Sequence, residues 1–186
     1  MKQRCFWVSD DPLYIEYHDT EWGVPVYEDD KLFEFLILET FQAGLSWITI
    51  LKKRENFRKA FDDFDYQKIA NYSEDKYEEL LQNEGIIRNK LKIKATITNA
   101  QLFMKVQEEF GSFSKYIWSF VDGNPIKNKF SKREEVPATT ELSDAISKDM
   151  KKRGFKFVGS TVIYAHMQAT GMVNDHTTDC FRYHEV

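Results

Sequence analysis

The chain has 186 residues, of which 42% are hydrophobic and 15% aromatic, with a formal net charge of −4. That apolar content excludes an intrinsically disordered chain, and no apolar run approaches the roughly 20 residues of a membrane span. The length fits a single domain over residues 1–186, with two closely packed helical lobes as the variant.

The mean charge conceals an asymmetry. Residues 1–84 carry 10 Lys+Arg against 19 Asp+Glu, whereas residues 85–186 carry 16 against 11. A basic face can therefore exist on an acidic protein, although a mixed surface explains the counts equally well. The stretch "MKQRCFWVSDD" lacks the apolar centre of a secretory signal. The expectation is a soluble, cytoplasmic protein.

The pattern is helical almost throughout, and the expected fold class is all-α, a compact helical bundle. "EDDKLFEFLILETFQAG" reads as a helix capped by Asp29 or Asp30 and stopped at Gly44. Its run from Phe35 to Leu38 makes it apolar nearly all round, which predicts a buried central helix. "SWITILKKRENFRKAF" follows with Ser46 as its cap. Asp65 and Ser73 cap two short helices, the second ending at Gly85. Leu91, Ala95, Thr98, Leu102 and Val106 keep helical spacing up to Gly111. A short helix, "SFSKYIWSFV", ends at Asp122-Gly123, and residues 123–142 read as a surface loop. A helix runs from Ser143 to Gly154. The β-branched stretch 155–170 is ambiguous, but its length favours a helix ending at Gly171.

Two Cys and two His sit near the two ends. Cys5 and His18 lie in the first twenty residues, and His176 and Cys180 lie in "NDHTTDC". The i, i+4 spacing of the second pair suits one face of a helical turn. Together they offer the Cys2His2 set that zinc takes tetrahedrally, which would tie the chain ends together. His184 competes as a ligand, and His166 reads as a packed or surface histidine. Unrelated thiols and a Cys5–Cys180 disulfide stay open as alternatives, the latter disfavoured in a reducing cytosol.

Glu39 shares one helix face with Leu32, Leu36 and Ala43. A carboxylate on a buried helix must gain partners or shift its pKa upward. Such positions mark functional sites; the alternative is a Glu at the exposed helix end. Trp7, Tyr14, Tyr17, Trp22 and Trp47 fall in the same fifty residues. They can be core. They can also form, with Glu39, an aromatic box for a flat cationic ligand.

"EELLQNEGIIRNKLKIKA" reads helix, turn at Gly85, then a basic helix start at Arg88, Lys90, Lys92 and Lys94. Helix N-terminal amides and basic side chains suit phosphate binding, and a solvated helix face is the bland alternative.

At this point the residues resemble a family. "RCFWVSDDPLYIEYHDTEWG", "FQAGLSWITILKKRENFRKAF", "KKRGFKFVGST" and "GMVNDHTTDC" are together similar to the 3-methyladenine DNA glycosylase I family, over nearly the whole chain. The resemblance implies a helical bundle of the helix–hairpin–helix glycosylase superfamily, with a structural zinc held by Cys5, His18, His176 and Cys180. It implies that Glu39 and Tyr17 hydrogen-bond the excised base. Trp47, with Trp7, Tyr14 and Trp22, would form the pocket. Gly44 and Leu45 would approach the gap in the duplex, with Gly85, Arg88 and Lys90 as further DNA contacts. The implied activity is that of a base-excision repair glycosylase acting on double-stranded DNA. It would flip out and hydrolytically release 3-methyladenine, leaving an abasic site, as a monofunctional monomer without lyase activity. Three departures stand out. Phe6 replaces a small residue. The hairpin "NEGIIRNK" has one glycine, not two. No convincing candidate stands for the catalytic aspartate that the wider superfamily places beyond the hairpin, a lack that is distinctive of this family. Non-catalytic recognition of alkylated DNA and a zinc-stapled protein-binding scaffold are the rival readings.

Overall fold

The computed structural model describes residues 1–186 as nine α-helices, three short 3-10 segments and one pair of two-residue strands. Its centre is α2, Asp29–Gln42. Every residue from Leu32 to Phe41 is buried, as an apolar-all-round helix requires. Packed on it are α3 (Trp47–Ala60), α6 (Lys90–Phe110), α7 (Phe113–Ser119) and α9 (Ser160–Ala169). Leu32, Phe33, Leu36, Ile37 and Phe41 meet Ile50 and Phe57 of α3, Ile93 and Phe103 of α6, and Ile163 and Met167 of α9 in one continuous core.

Local chemistry sets the element boundaries. In α1, Pro12–Thr20, Asp11 accepts from the Leu13 amide and Pro12 occupies the first turn. Asp65 caps α4 (Tyr66–Ile69), and Ser73 caps α5 (Glu74–Leu81). The cap of α2 is Glu28 rather than Asp29 or Asp30. Asp29 serves a different helix: its carboxylate accepts from the Phe113 and Ser114 amides at 2.9 and 2.8 Å, fixing the start of α7 on α2. α5 ends at Leu81, four residues before Gly85. α8 begins at Glu141 with a Thr140–Ser143 capping box, ahead of the expected Ser143. The stretch 155–170 is helical only from Ser160, because Phe157 takes a positive φ of 55° and breaks the run.

The fold is mostly helical, with one element that helical patterning missed. β1 (Ile126–Lys127), inside the expected surface loop, pairs in parallel with β2 (Val173–Asn174). The pair anchors the loop beside the C-terminal segment. That segment is also pinned by Gly171, whose φ is +73°. A Cβ there would lie 2.5 Å from the Pro25 nitrogen and the Val24 carbonyl carbon, so only glycine fits. The contact brings residues 23–26 against the end of α9, with the Val26 amide donating to the Thr170 carbonyl at 2.9 Å.

Candidate active site and metal centre

A cavity of about 320 Å³ opens between α1, α2, α3 and α9. Trp7, Tyr14, Tyr17, Trp22, Glu39 and Trp47 all line it, so the aromatic and acidic residues singled out by the sequence do converge. Their packing is mutual. Trp7 lies 5.0 Å, centroid to centroid, from both Tyr14 and Trp22, and Tyr17 lies 5.8 Å from Trp47. These rings form a small apolar cluster with Phe35, Leu51 and Ala169, separate from the main core.

Glu39 is not at an exposed helix end. It is 4% exposed, and burial pushes its carboxyl pKa up to about 8. The hydroxyl of Tyr17 and the indole N–H of Trp47 are buried without a hydrogen-bond partner. Burial, with Glu39 and Glu21 adding to it, raises the Tyr17 phenol well above its ordinary value. Unpaired polar groups at a cavity wall cost stability. Both residues, Tyr17 and Trp47, line the ring-sized cavity, where a polar-edged planar ligand would supply the missing partners.

Several lining residues escaped sequence reading. Gln42 sits one helical turn beyond Glu39, and Ala165 and Gln168 come from α9. Val136 and Pro137 complete the lining beside Phe6, the departure noted in the sequence, with the Arg133 guanidinium 5.8 Å from the Phe6 ring. Asp175 is a second buried carboxylate, but it accepts from Asn128 at 2.6 Å, from Gln168 at 3.0 Å and from the Tyr164 hydroxyl. Only its place beside His176 in "NDHTTDC" could have flagged it.

An ionic network braces the wall from behind. Arg54 makes a two-pronged pair with Glu21 at 2.7 and 2.8 Å and reaches Glu34 at 3.0 Å. Arg58 reaches the same Glu34 oxygen at 2.8 Å. The network ties α3 to α2 and to the residue preceding Trp22.

Next to the aromatic wall, Cys5, His18, His176 and Cys180 are all buried, with one ligand atom from each lying within 4.8 Å of the others. His176 and Cys180 reach this point from an irregular segment ahead of the final 3-10 turn, not from a helix face. His184 is exposed and outside the cluster, and His166 is a packed core histidine bonded to the Leu32 carbonyl. Both cysteines are free thiols, so there is no disulfide.

The donor set fits a tetrahedral metal. Tetrahedral zinc bonds place sulfur and nitrogen ligands about 3.5 Å apart. Cys5 Sγ lies 3.4 Å from His176 Nδ1, and Cys180 Sγ lies 3.4 Å from His18 Nε2 and 3.6 Å from His176 Nδ1. Outer partners fix both rings. His18 Nδ1 donates to Asp19 at 2.8 Å, and Asp19 accepts from Arg4. His176 Nε2 donates to the Trp22 carbonyl at 3.0 Å. Each ring therefore turns its lone pair toward the thiols, as metal-binding histidines do.

The residues expected to contact DNA lie in two places, the turn after α2 and the start of α6. Gly44 (φ +81°) and Leu45, 37% exposed, follow α2. Gly85 packs against Asn56, and Arg88 and Lys90 are exposed at the start of α6.

A helical frame holding an aromatic–carboxylate cavity beside a Cys2His2 cluster defines a class, and comparison with known proteins agrees with it. The methyladenine glycosylase family model matches residues 7–183. The DNA-3-methyladenine glycosylase 1 of Escherichia coli (strain K12) is 51% identical over 181 residues, covering 97% of each chain. The DNA-3-methyladenine glycosylase of Haemophilus influenzae is 48% identical, again over 97% of each. A crystal structure of a 3-methyladenine DNA glycosylase I variant in complex with 3-methyladenine superposes with a TM-score of 0.93, at 35% identity over 96% of both chains. The chain belongs to the methyladenine glycosylase family and is an enzyme of the DNA-3-methyladenine glycosylase class.

Proposed function

We propose that this enzyme excises 3-methyladenine from alkylated double-stranded DNA by hydrolysis, leaving an abasic site, and that it does so as a monofunctional monomer inside the cell. The observation that carries the reading is the ring-sized cavity lined by buried Glu39, by Tyr17 with its unpaired hydroxyl, and by Trp7, Tyr14, Trp22 and Trp47.

N3-methylation makes the adenine ring cationic. Aromatic faces attract that charge, and a buried carboxylate beside it gains a partner that unmodified, neutral adenine does not offer. Glu39 and Tyr17 then read the polar edge of the flipped base while the aromatic rings stack on it. When the glycosidic bond breaks, its electron pair goes to the base, which leaves neutral. Water adds to the sugar C1′ and loses a proton, which Glu39 or solvent accepts. The substrate carries its own activation, so the protein's work is extrusion, selection and exclusion. No lysine lines the cavity, which favours water over an amine as the nucleophile.

Cys5, His18, His176 and Cys180 would hold a structural zinc. Four protein ligands leave no open position on such an ion, so it supplies architecture rather than a reactive water. The α5–α6 connection would act as the helix–hairpin–helix element. There Gly85 lets the turn pack closely on Asn56, and Arg88 and Lys90 neutralise phosphates. Gly44 and Leu45 would fill the gap that the flipped nucleotide leaves.

The experiment is release of free 3-methyladenine from methylated duplex DNA by wild type and by Glu39→Gln. Release by wild type with severe loss in the variant is expected. Binding of methylated DNA without base release would favour a recognition module instead.

A further inference from the structure

Among the nine α-helices, α2 is the one whose C-cap residue makes no backbone N–H bond back into its own helix. The chain leaves the helix at Ala43 with an extended ψ of 122°, and the last turn carries no basic side chain of its own. The terminal carbonyls of a helix need partners from somewhere. Here they find one in a residue far away in sequence. The Lys92 ammonium donates to the Phe41 and Ala43 carbonyls, each at 3.2 Å. Lys92 is only 7% exposed, an unusual state for lysine. Its charge also sits where a helix dipole favours a cation.

What lies on either side of this contact gives it meaning. On one side is the tight turn of residues 42–45. It is closed twice through Gln42, whose carbonyl accepts from the Leu45 amide and whose side-chain amide donates to the Leu45 carbonyl, both at 2.8 Å. Gln42 also lines the cavity, and Glu39 stands one turn earlier on the same helix. On the other side is the first turn of α6, which begins with the exposed Lys90 two residues after the exposed Arg88. A single buried side chain thus joins the basic connection to the turn that carries Leu45.

We propose that Lys92 is a positioning residue for nucleotide extrusion, holding the Gly44–Leu45 turn at the height from which it enters the duplex once Arg88 and Lys90 have engaged the backbone. This rests on the functional reading above. Lys92 touches neither the base nor the cavity. A lysine that merely capped α2 would stabilise the whole helix, Glu39 included, and its loss would weaken base binding and excision alike. A positioning lysine would matter only where a stacked, paired nucleotide must be displaced.

The test uses the full chain with Lys92→Met and Lys92→Arg. The probes are methylated duplex DNA, the same methylated strand single-stranded, and free 3-methyladenine. For Lys92→Met, single-turnover excision from the duplex is expected to fall on the order of 100-fold, the usual result of a misplaced positioning element. Excision from the single strand and affinity for the free base stay within about twofold of wild type. Lys92→Arg, which keeps the donors, restores most of the duplex rate. Should Lys92→Met fail to fold, Lys92→Gln carries the same comparison. Equal losses on both DNA forms, weakened free-base binding, or an unchanged duplex rate would each overturn the inference. If wild type released no 3-methyladenine from either DNA, the functional reading would fall, and this inference with it.

Discussion

The His18 imidazole meets the Trp7 indole edge-on, with ring centroids 5.2 Å apart. His176 makes the matching contact with Trp22 at 4.8 Å. Two residues of the Cys2His2 cluster are therefore also the backing of two cavity walls. Anything that loosens the cluster loosens the cavity.

If the cluster holds the proposed zinc, removing it should cost both stability and recognition. Cys180→Ser, or exhaustive chelation, is expected to lower stability by about 3 kcal/mol, a fall in Tm of roughly 10 °C for a chain of this size. Zinc content by elemental analysis should drop from one equivalent toward zero. Affinity for free 3-methyladenine should fall about 10- to 100-fold. Full zinc content and an unchanged Tm in the variant would remove the metal assignment.

Glu39 sets a conflict between stability and function. Its pKa rises from 4.5 to about 8 on folding because burial disfavours the ionised form. Between those values the native state holds a proton that the unfolded chain has lost, so stability falls as pH rises through this window. Glu39→Gln removes the penalty. At pH 8 the variant is expected to be more stable by about 2–4 kcal/mol, and at pH 4 indistinguishable. Urea unfolding at the two pH values measures this. Wild-type excision should rise with pH toward 8 as the carboxylate forms, whereas the residual activity of Glu39→Gln should be flat across that range.

Tyr17→Phe isolates a single unpaired hydroxyl. The free protein already buries that oxygen without a partner. Deleting it should leave Tm unchanged or slightly raised, since only a desolvation cost is lost. Binding of the free base should weaken by about 1–2 kcal/mol, or roughly 5- to 30-fold. Calorimetric titration with 3-methyladenine distinguishes the two effects.

The first and second of these predictions rest on features that differ in how far the sequence could reveal them. Buried helix α2 and the caps Asp65 and Ser73 were legible because apolar runs and cap residues act locally. Glu39 was legible as a carboxylate on an apolar face, though periodicity alone left it between a buried wall and an exposed end. Other features depend on contacts across the fold. Asp29 caps α7 rather than its own helix, which no local pattern encodes. Phe157 breaks the 155–170 run through a backbone angle, and β1 pairs with a strand 47 residues away. The cluster geometry at His176 and Cys180 comes from an irregular segment, where i, i+4 spacing had suggested a helix. The part of the cavity lined by Phe6, Val136 and Pro137 unites chain segments 130 residues apart, with no shared motif to announce it.

Backbone contacts can be tested without touching the cavity. The double variant Arg88→Gln, Lys90→Gln is expected to weaken binding of unmodified duplex DNA and to reduce the slope of log K against log salt by about 1–2. Free-base affinity should not change. A salt slope equal to that of wild type would move the DNA interface away from the start of α6.

Gly171 offers a purely steric check on the C-terminal frame. An alanine there would place its Cβ 2.5 Å from backbone atoms of Val24 and Pro25, at a φ that side chains rarely adopt. Destabilisation of roughly 3 kcal/mol is expected, read as a lower midpoint in chemical denaturation.

The hydrogen bond between Cys5 and His176 spans 171 positions of the chain. During synthesis, then, Trp7, Tyr14 and Tyr17 precede their brace and wait for the segment that carries His176 and Cys180. Closing so long a loop is slow compared with forming the local helices. The aromatic wall is made before the residues that back it, so the cavity takes its final shape only when that distant segment docks.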